Sequence, residues 1–186
     1  MKKIGGRISF EKHEDYYTII ISSKIEKWKE NAMLLWLICW SFCGLTFLYY
    51  LMFGGISSEE KITLLVLVIF WIYLELRIFK AYMWRVFGVE HIRIDADRIT
   101  HKKSIKGYGK ANYLASKQII EITTLPLKEK SIFKVFNDSF WIIGNGIIDV
   151  KSSLSNLYIG VQLNSKDAKD LSNEMKRMLK NLSKNS

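Results

Sequence analysis

The sequence predicts a membrane-embedded α-helical hairpin followed by a mainly β domain, a bent antiparallel sheet or barrel that a C-terminal α-helix closes. Three observations predict this fold class. Two long apolar runs lie between residues 31 and 84, short β-prone segments follow at regular spacing, and the chain ends in an amphipathic helical pattern. A chain of 186 residues is long enough for one modest domain plus an anchor.

Residues 1–30 are predicted to form a cytoplasmic, β-prone N-terminal segment. Arg7–Phe10 and Tyr16–Ser22 are rich in β-branched and aromatic side chains, which favour strands. We expect them to form a small hairpin that joins the later sheet. No cleavable signal peptide is expected, because the first apolar run begins late and is too long for one.

The two apolar runs are predicted to cross a membrane as an antiparallel hairpin over residues 31–84. Residues 31–53 contain no charge, and residues 62–84 are fully apolar up to Leu74. At about 1.5 Å per residue, each run is long enough for a hydrocarbon core of about 30 Å. The outer connector, residues 54–61, is short enough to force the helices to be antiparallel. The alternative is a helical hairpin buried inside a soluble protein.

The distribution of lysine and arginine predicts that both termini are cytoplasmic. The excess of lysine over arginine, 22 to 6, and the single proline favour a bacterial protein, so the expected membrane is a bacterial inner membrane. Basic residues flank the hairpin on both sides, whereas the connector has Lys61 beside Glu59 and Glu60. The net charge is +10, and residues 85–186 hold 18 basic and 10 acidic residues, or +8 of it. A domain this basic is attracted to membrane lipids with anionic headgroups or to an acidic protein. The membrane tether argues against nucleic acid as a partner.

Glu75, Arg77 and Lys80 interrupt the second apolar run. An intramembrane carboxylate can mark an ion path or a partner contact. The alternative, which we expect here, is a carboxylate near the interface that is paired locally with Arg77 and Lys80, whose long side chains reach the headgroups. Cys39 and Cys43 lie four residues apart on one helix face without other ligands nearby, so no metal site is predicted.

Residues 85–186 are predicted to form the mainly β domain. Turn compositions at residues 95–97, 107–109 and 144–146 separate short strand candidates, whose regular spacing favours antiparallel pairing. In chain order the candidates are Val89–Ile94, Arg98–Lys103, Gln118–Thr124, Ile132–Phe136, Phe140–Ile143, Ile147–Val150 and Leu157–Leu163.

The chain is predicted to end in an amphipathic helix over residues 165–183. Ser165 is the expected N-cap, and acidic residues precede basic ones along the helix, as its dipole favours. Six apolar side chains share one face, and two of them, Met175 and Leu179, are expected to be buried against the sheet. The six are Ala168, Leu171, Met175, Met178, Leu179 and Leu182.

Strands followed by one amphipathic terminal helix are the element order of a pleckstrin-homology-like (PH-like) domain. The residues that match it best are Ile92–Ile99, Ile119–Ile122, Tyr158–Val161 and Asp167–Leu171. The chain resembles bacterial PH-like membrane proteins, in which a transmembrane hairpin precedes such a domain. Its layout is also similar to that of a chloroplast photosystem I assembly factor with a two-helix anchor. The resemblance implies a fold and a location.

Lys102, Lys103, Lys106 and Lys110 form a basic strand–turn segment. Pleckstrin-homology domains bind anionic headgroups in such places, and each lysine near an anionic surface contributes about 1 kcal/mol. The alternative is a solvated, lysine-rich loop, because the segment has no arginine for bidentate phosphate recognition.

The sequence does not predict an enzyme, and no cofactor is expected. Phosphate-binding loops, nucleophile elbows, zinc-protease motifs and dinucleotide fingerprints are all missing from it. His91 and His101 are expected to be ordinary strand residues that lie near each other across a hairpin. An aromatic group is expected to belong to the core, with an exposed partner-binding strip as the alternative: Phe133, Phe136, Phe140 and Trp141.

Three functions remain open from the sequence. The favoured one is a non-enzymatic, membrane-anchored accessory or scaffold protein whose PH-like domain binds another protein, such as a subunit of a membrane complex, during its assembly or stabilisation. The second is a module that binds anionic lipid at the cytoplasmic leaflet through the lysine segment. The third is a small transporter or channel subunit, which Glu75 alone favours.

Overall fold

The structure, a computed structural model, describes residues 2–125 and 139–185, with side chains as far as Ser183. The chain divides into two compact units. The first comprises Met1–Lys24, Phe87–Ser139 and Ile143–Ser186, and the second comprises Ile25–Val86 and Phe140–Ile142. The predicted combination of two long apolar helices with a mainly β domain of antiparallel sheets is confirmed.

Among the described residues, the first unit contains two antiparallel sheets and one α-helix. The six-stranded sheet follows chain order through β1 (Lys2–Ile4), β2 (Ile8–Lys12), β3 (Tyr16–Ser22), β4 (Gly88–Asp95), β5 (Arg98–Ile105) and β6 (Ala111–Ala115). A short 3₁₀ helix at Ser116–Gln118 leads to the three-stranded sheet, with β7 (Ile119–Thr124), β8 (Gly146–Ser152) and β9 (Asn156–Val161) in that order.

The N-terminal hairpin joins the later sheet, as expected. β3 pairs with β4 along its whole length, from Tyr16 opposite Asp95 to Ser22 opposite Val89. Just beyond this ladder, the backbone N–H and the hydroxyl of Ser23 both donate hydrogen bonds to the carbonyl of Gly88, at 3.2 and 2.6 Å. The apolar helices are therefore an insertion between two neighbouring strands of one sheet.

The two apolar helices are α1 (Lys27–Phe53) and α2 (Ser58–Phe87), and each is long and apolar enough to span a membrane. α1 begins four residues before its predicted start, and α2 begins four residues before and ends three residues after its predicted limits. The connection between them therefore shortens to residues 54–57. Gly44 of α1 lies against the indole of Trp71 in α2, whose Nε1–H donates to the carbonyl of Trp40 at 2.9 Å. Close backbone approach at a small residue is a common way for membrane helices to pack.

The hydrophobic core of the first unit fills the space between the sheets and α3 (Ser165–Asn185). Alternate strand residues such as Ile19, Ile92 and Ile94 are fully buried, as the period of a half-buried strand requires. Met175 of α3 is fully buried, as predicted, whereas Leu179 is only partly buried at the edge of the core.

Three local predictions are wrong. Phe140–Ile143 is a turn and irregular segment instead of a strand, and Gly146 begins β8 instead of ending a turn. The N-cap of α3 is Asn164, which exchanges hydrogen bonds with Asp167 at 2.6 and 2.9 Å, so that Ser165 is already helical. The candidate strand Ile132–Phe136, with Phe133 and Phe136, lies outside the described residues.

Candidate functional site

The basic segment spans the end of β5, a turn and the start of β6. Lys102 donates from Nζ to the carbonyl of Gly107 at 2.8 Å, which holds its ammonium over the turn. The Lys106 ammonium lies 4.2 Å from the ring centroid of Phe87, the last residue of α2, in a cation–π contact. Lys110 is exposed just before β6. These three cations therefore lie in or beside one turn of the sheet.

Lys103 differs from the other three lysines in its surroundings. Successive residues of β5 point to opposite faces of the sheet, and Lys103 is on the same face as Glu90. It lies opposite Glu90 in the β4–β5 register, and its charge acts on that carboxylate. His101, two residues earlier on β5, also faces Glu90. The structure thus groups Lys103 with a buried polar cluster, whereas Lys102, Lys106 and Lys110 stay with the exposed turn.

Glu90 is the centre of that buried polar cluster. Its carboxylate accepts hydrogen bonds from the backbone N–H groups of Gly160 at 3.0 Å and Val161 at 2.6 Å. Its Oε2 also lies 3.0 Å from Nε2 of His101, and both side chains are almost completely buried. Glu90 belongs to the six-stranded sheet and its backbone partners belong to β9, so this single side chain joins the two sheets.

Several contacts shift the pKa of Glu90 in opposite directions. Burial raises it, because a charged carboxylate is poorly solvated in the protein interior. The hydrogen bond and positive charge of His101 lower it, as do the Val161 N–H and the Lys103 charge. Burial is the largest single contribution, but the lowering contributions together outweigh it, so the pKa of Glu90 lies below its ordinary value. The folded protein therefore holds Glu90 as a carboxylate.

Arg7 completes the junction between the sheets from the turn that precedes β2. Its guanidinium donates to the carbonyls of Ser22 at 2.7 Å, Gln162 at 2.8 Å and Val161 at 3.4 Å. Burial lowers the pKa of Arg7, and the negative charges of Glu90 and Asp167 act in the opposite direction. Glu90 thus binds the N–H groups at the end of β9 while Arg7 binds the carbonyls there.

Glu75 lies deeper along the helices than expected. Its Oε1 accepts a hydrogen bond from the hydroxyl of Ser41 at 2.7 Å. Ser41 is near the middle of α1, about 20 Å from either end at 1.5 Å per residue. The other carboxylate oxygen of Glu75 is buried in the hairpin with no hydrogen-bond partner among the described residues.

The expected local pairing of Glu75 with Arg77 and Lys80 is wrong. Arg77 instead donates to the hydroxyl of Tyr73 at 2.8 Å, and the ion pairs within residues 2–125 and 139–185 do not include Glu75 or Lys80. Both cations are exposed. On a helix, residues two apart point to different sides, and Glu75 faces α1. The carboxylate is thus directed into the hairpin and the cations outwards.

An aromatic cluster forms where residues 140–142 meet the helices of the second unit. Trp141 packs edge-on against Trp36 of α1 at 5.8 Å between ring centroids, and Phe140 packs against Trp28 at 6.1 Å. Arg85 of α2 is buried and donates to the carbonyls of Phe140 and Ile142. Both aromatic side chains are half-buried, between the core and exposed-strip alternatives.

The two strand histidines lie on opposite faces of their hairpin. His101 pairs with Ile92 in the register and is buried, whereas His91 pairs with Lys102 and is exposed. They are adjacent along the ladder but point apart. Within residues 2–125 and 139–185, no group of three or more His, Cys, Asp or Glu side chains is arranged to hold a metal ion.

Comparisons of the chain with protein-family models, curated proteins and solved structures found no match.

Sequence reasoning did not single out Glu90, Arg7 or Ser41. One signal was available for Glu90, because the two-residue period of β4 places it on the face of Ile92 and Ile94, where a charge must have partners. Arg7 and Ser41 carry no comparable signal, since their partners are 15 to 155 residues away for Arg7 and 34 residues away for Ser41.

Proposed function

We propose that this protein is a non-enzymatic, membrane-anchored accessory protein whose mainly β domain binds another protein at the membrane surface during assembly or stabilisation of a membrane complex. One observation carries the proposal: the apolar hairpin is inserted between the paired strands β3 and β4, and no residue separates α2 from β4. The anchor is therefore inserted within the stretch of chain that forms the domain, which suits a protein that presents a binding surface beside a membrane partner.

Membrane insertion of the hairpin is supported by the exposure of its apolar side chains. In the most apolar 18-residue stretch of each helix, only 17% is buried in α1 and 6% in α2. A core helix of a soluble protein is mostly buried instead. Phe42, Met52 and Phe70 are among the large apolar side chains left exposed. A continuous apolar surface of this kind needs lipid or a protein partner to cover it.

The strand pairing also supports a location for the domain. Residues before α1 and after α2 fold into one unit, so they must lie on the same side of the membrane. The basic residues that flank the hairpin favour the cytoplasmic side, with the Glu59–Glu60 connector outside. We therefore propose a multi-pass protein of a bacterial inner membrane with both termini in the cytoplasm.

The order of strands supports a PH-like fold for the domain. β3, β4, β5 and β6 form a consecutive antiparallel run, β7, β8 and β9 form a second one, and α3 follows. This is the order of strands and helix in PH-like domains. In this interpretation, the membrane hairpin replaces the connection between the first two strands of the domain, and β1 and β2 extend its first sheet.

Binding of anionic lipid is a second candidate function, and one contact favours it. The Lys106 ammonium lies over Phe87, the residue that ends α2, so a cation is held beside the point where the chain leaves its apolar helix. Lys102 and Lys110 lie near the same turn. Each lysine close to an anionic leaflet would contribute about 1 kcal/mol, and salt would weaken the attraction.

Purification from native membranes in mild detergent tests the proposed function. We expect a protein partner to remain bound through a moderate-salt wash, because a protein interface depends mainly on buried anchors that salt does not screen. Changing Lys102 and Lys106 together to alanine should leave that partner bound, because neither side chain lines a surface on which the proposed protein interface depends. Recovery of the chain without any protein partner, together with loss of vesicle binding in this double variant, would favour the lipid function instead.

A further inference from the structure

A groove of about 440 Å³ lies between the two sheets of the β domain. One wall is β6 with the preceding Lys110, and the other is the start of β9 with the preceding Ser155. Among the strands that the structure describes, β6 ends the six-stranded sheet and β9 ends the three-stranded sheet. End strands expose backbone N–H and C=O groups that can pair with another extended chain.

The two ends of β9 differ in what binds their backbone. At its C-terminal end, the carboxylate of Glu90 accepts from Gly160 and Val161, and Arg7 donates to the carbonyls of Val161 and Gln162. These side chains close the sheets against each other there. The groove opens at the other end of β9, around Asn156 and Leu157.

The side chains around the groove define what it would accept. Leu114 and Leu157 are buried and form an apolar floor, while Tyr113 is 73% exposed at the rim. Leu154, which precedes the groove residue Ser155 in the chain, is 80% exposed. Lys110 is the charged side chain among the described residues that line the groove. The groove thus combines an apolar floor, an exposed aromatic side chain at its rim and one positive charge.

We propose that this groove binds an extended, acidic segment of a partner protein as an added β-strand. Strand addition supplies backbone hydrogen bonds, and alternate side chains of the added strand supply specificity. One apolar side chain would lie over Leu114 and Leu157, and a carboxylate would lie beside Lys110. β6 is about 17 Å long, which matches a segment of about five residues. The inference rests on the proposed function and names the chemistry of the partner.

The test uses the full chain in nanodiscs of uncharged lipid and a displayed library of random peptides of about ten residues. Peptides selected by the wild type are counter-screened against the double variant K110E/Y113D. We expect selected peptides to carry Asp or Glu among alternating apolar residues and to bind the double variant about tenfold or more weakly. Binding should slow backbone hydrogen exchange in Ala111–Tyr113.

The matched control is K117E/I120D, which reverses a charge and introduces an acid on the neighbouring 3₁₀ helix and β7. Ile120 is 73% exposed, the same fraction as Tyr113, and Lys117 is exposed like Lys110. This variant should bind the peptides as the wild type does, and both variants should melt like the wild type. Failure to select any peptide whose binding depends on Lys110 and Tyr113 would overturn the proposed groove.

The native partner separates failure of the groove from failure of the function. If a partner co-purifies equally well with the wild type and with K110E/Y113D, the accessory function stands and the groove proposal is wrong. If no protein co-purifies with the wild type, the accessory function is wrong, and the peptide screen alone decides whether the groove binds strands. Loss of vesicle binding with unchanged peptide binding in K110E would also contradict the groove proposal.

Discussion

Replacing Glu90 with alanine is expected to destabilise the β domain by about 3–5 kcal/mol. The substitution leaves the N–H groups of Gly160 and Val161 and the ring of His101 buried without the acceptor that they now share. Such a loss is a large part of the stability of a single domain, which is about 5–15 kcal/mol. Thermal unfolding of the purified full chain in detergent should show a melting temperature lower by more than about 10 °C.

Glu121→Ala is the matched control, because it removes a carboxylate from the same domain at an exposed position. Glu121 pairs with Lys151 at 3.6 Å, with both side chains about half exposed. An exposed pair of this kind contributes below about 1 kcal/mol, so melting should change little. If Glu90→Ala and Glu121→Ala melt alike, Glu90 does not join the sheets in the way described.

The same carboxylate should make stability depend on pH. The pKa of Glu90 is lowered by folding, so its contribution is fully present above the pKa of an unfolded glutamate, about 4.3, and is lost as the pH falls through the lower, folded value. The wild type should therefore lose stability below about pH 4.3. Glu90→Gln, which has no proton to bind there, should lack this part of the loss.

Replacing Gly44 with leucine is expected to separate the two apolar helices. A β-carbon at this position would overlap the indole ring of Trp71, and the ring would have to move away from the carbonyl of Trp40 that it now binds. Overpacking costs about 1–3 kcal/mol, more than the gain of up to about 1 kcal/mol from replacing a helical glycine. The midpoint of unfolding in mixed micelles of mild detergent and sodium dodecyl sulfate should fall accordingly.

Gly55→Leu provides the comparison for Gly44→Leu. Gly55 lies in the connection between the helices, and a β-carbon there would meet nothing within 4 Å. The same change in side-chain volume should therefore leave the unfolding midpoint nearly unchanged. An equal effect at both positions would mean that Gly44 is not a contact between α1 and α2.

The parts of the fold that depend on local patterns could be predicted from the sequence. Two runs of apolar residues have the length of membrane-spanning helices, and the period-2 pattern of Val89–Ile94 fits a half-buried strand. The hairpin of Tyr16–Ser22 joined the later sheet as expected, because a short strand with alternating buried residues needs a partner for its edge.

Predictions failed where a tertiary contact decides the local conformation. Phe140 and Trp141 have strand-forming side chains, but they pack against Trp28 and Trp36 while Arg85 binds the carbonyls of the segment. Ala111–Ala115 forms β6 although its alanines and asparagine do not favour strands, because β5 offers it a complete register. Glu75 lies farther from the end of α2 than predicted, because α2 continues to Phe87 and the carboxylate binds Ser41 near the middle of α1.

We propose that a two-helix membrane anchor is inserted into a single cytoplasmic domain. Single cysteines at Glu14, Gly55 and Ser153, in a chain with Cys39→Ala and Cys43→Ala, test it most directly, because all three positions are exposed and lie outside the helices. In intact cells a membrane-impermeant thiol reagent should label the cysteine at position 55 alone, and positions 14 and 153 should react together only after the membrane is opened. Labelling of positions 14 and 153 on opposite sides of the membrane, or of position 55 only after opening, would rule out this arrangement of anchor and domain.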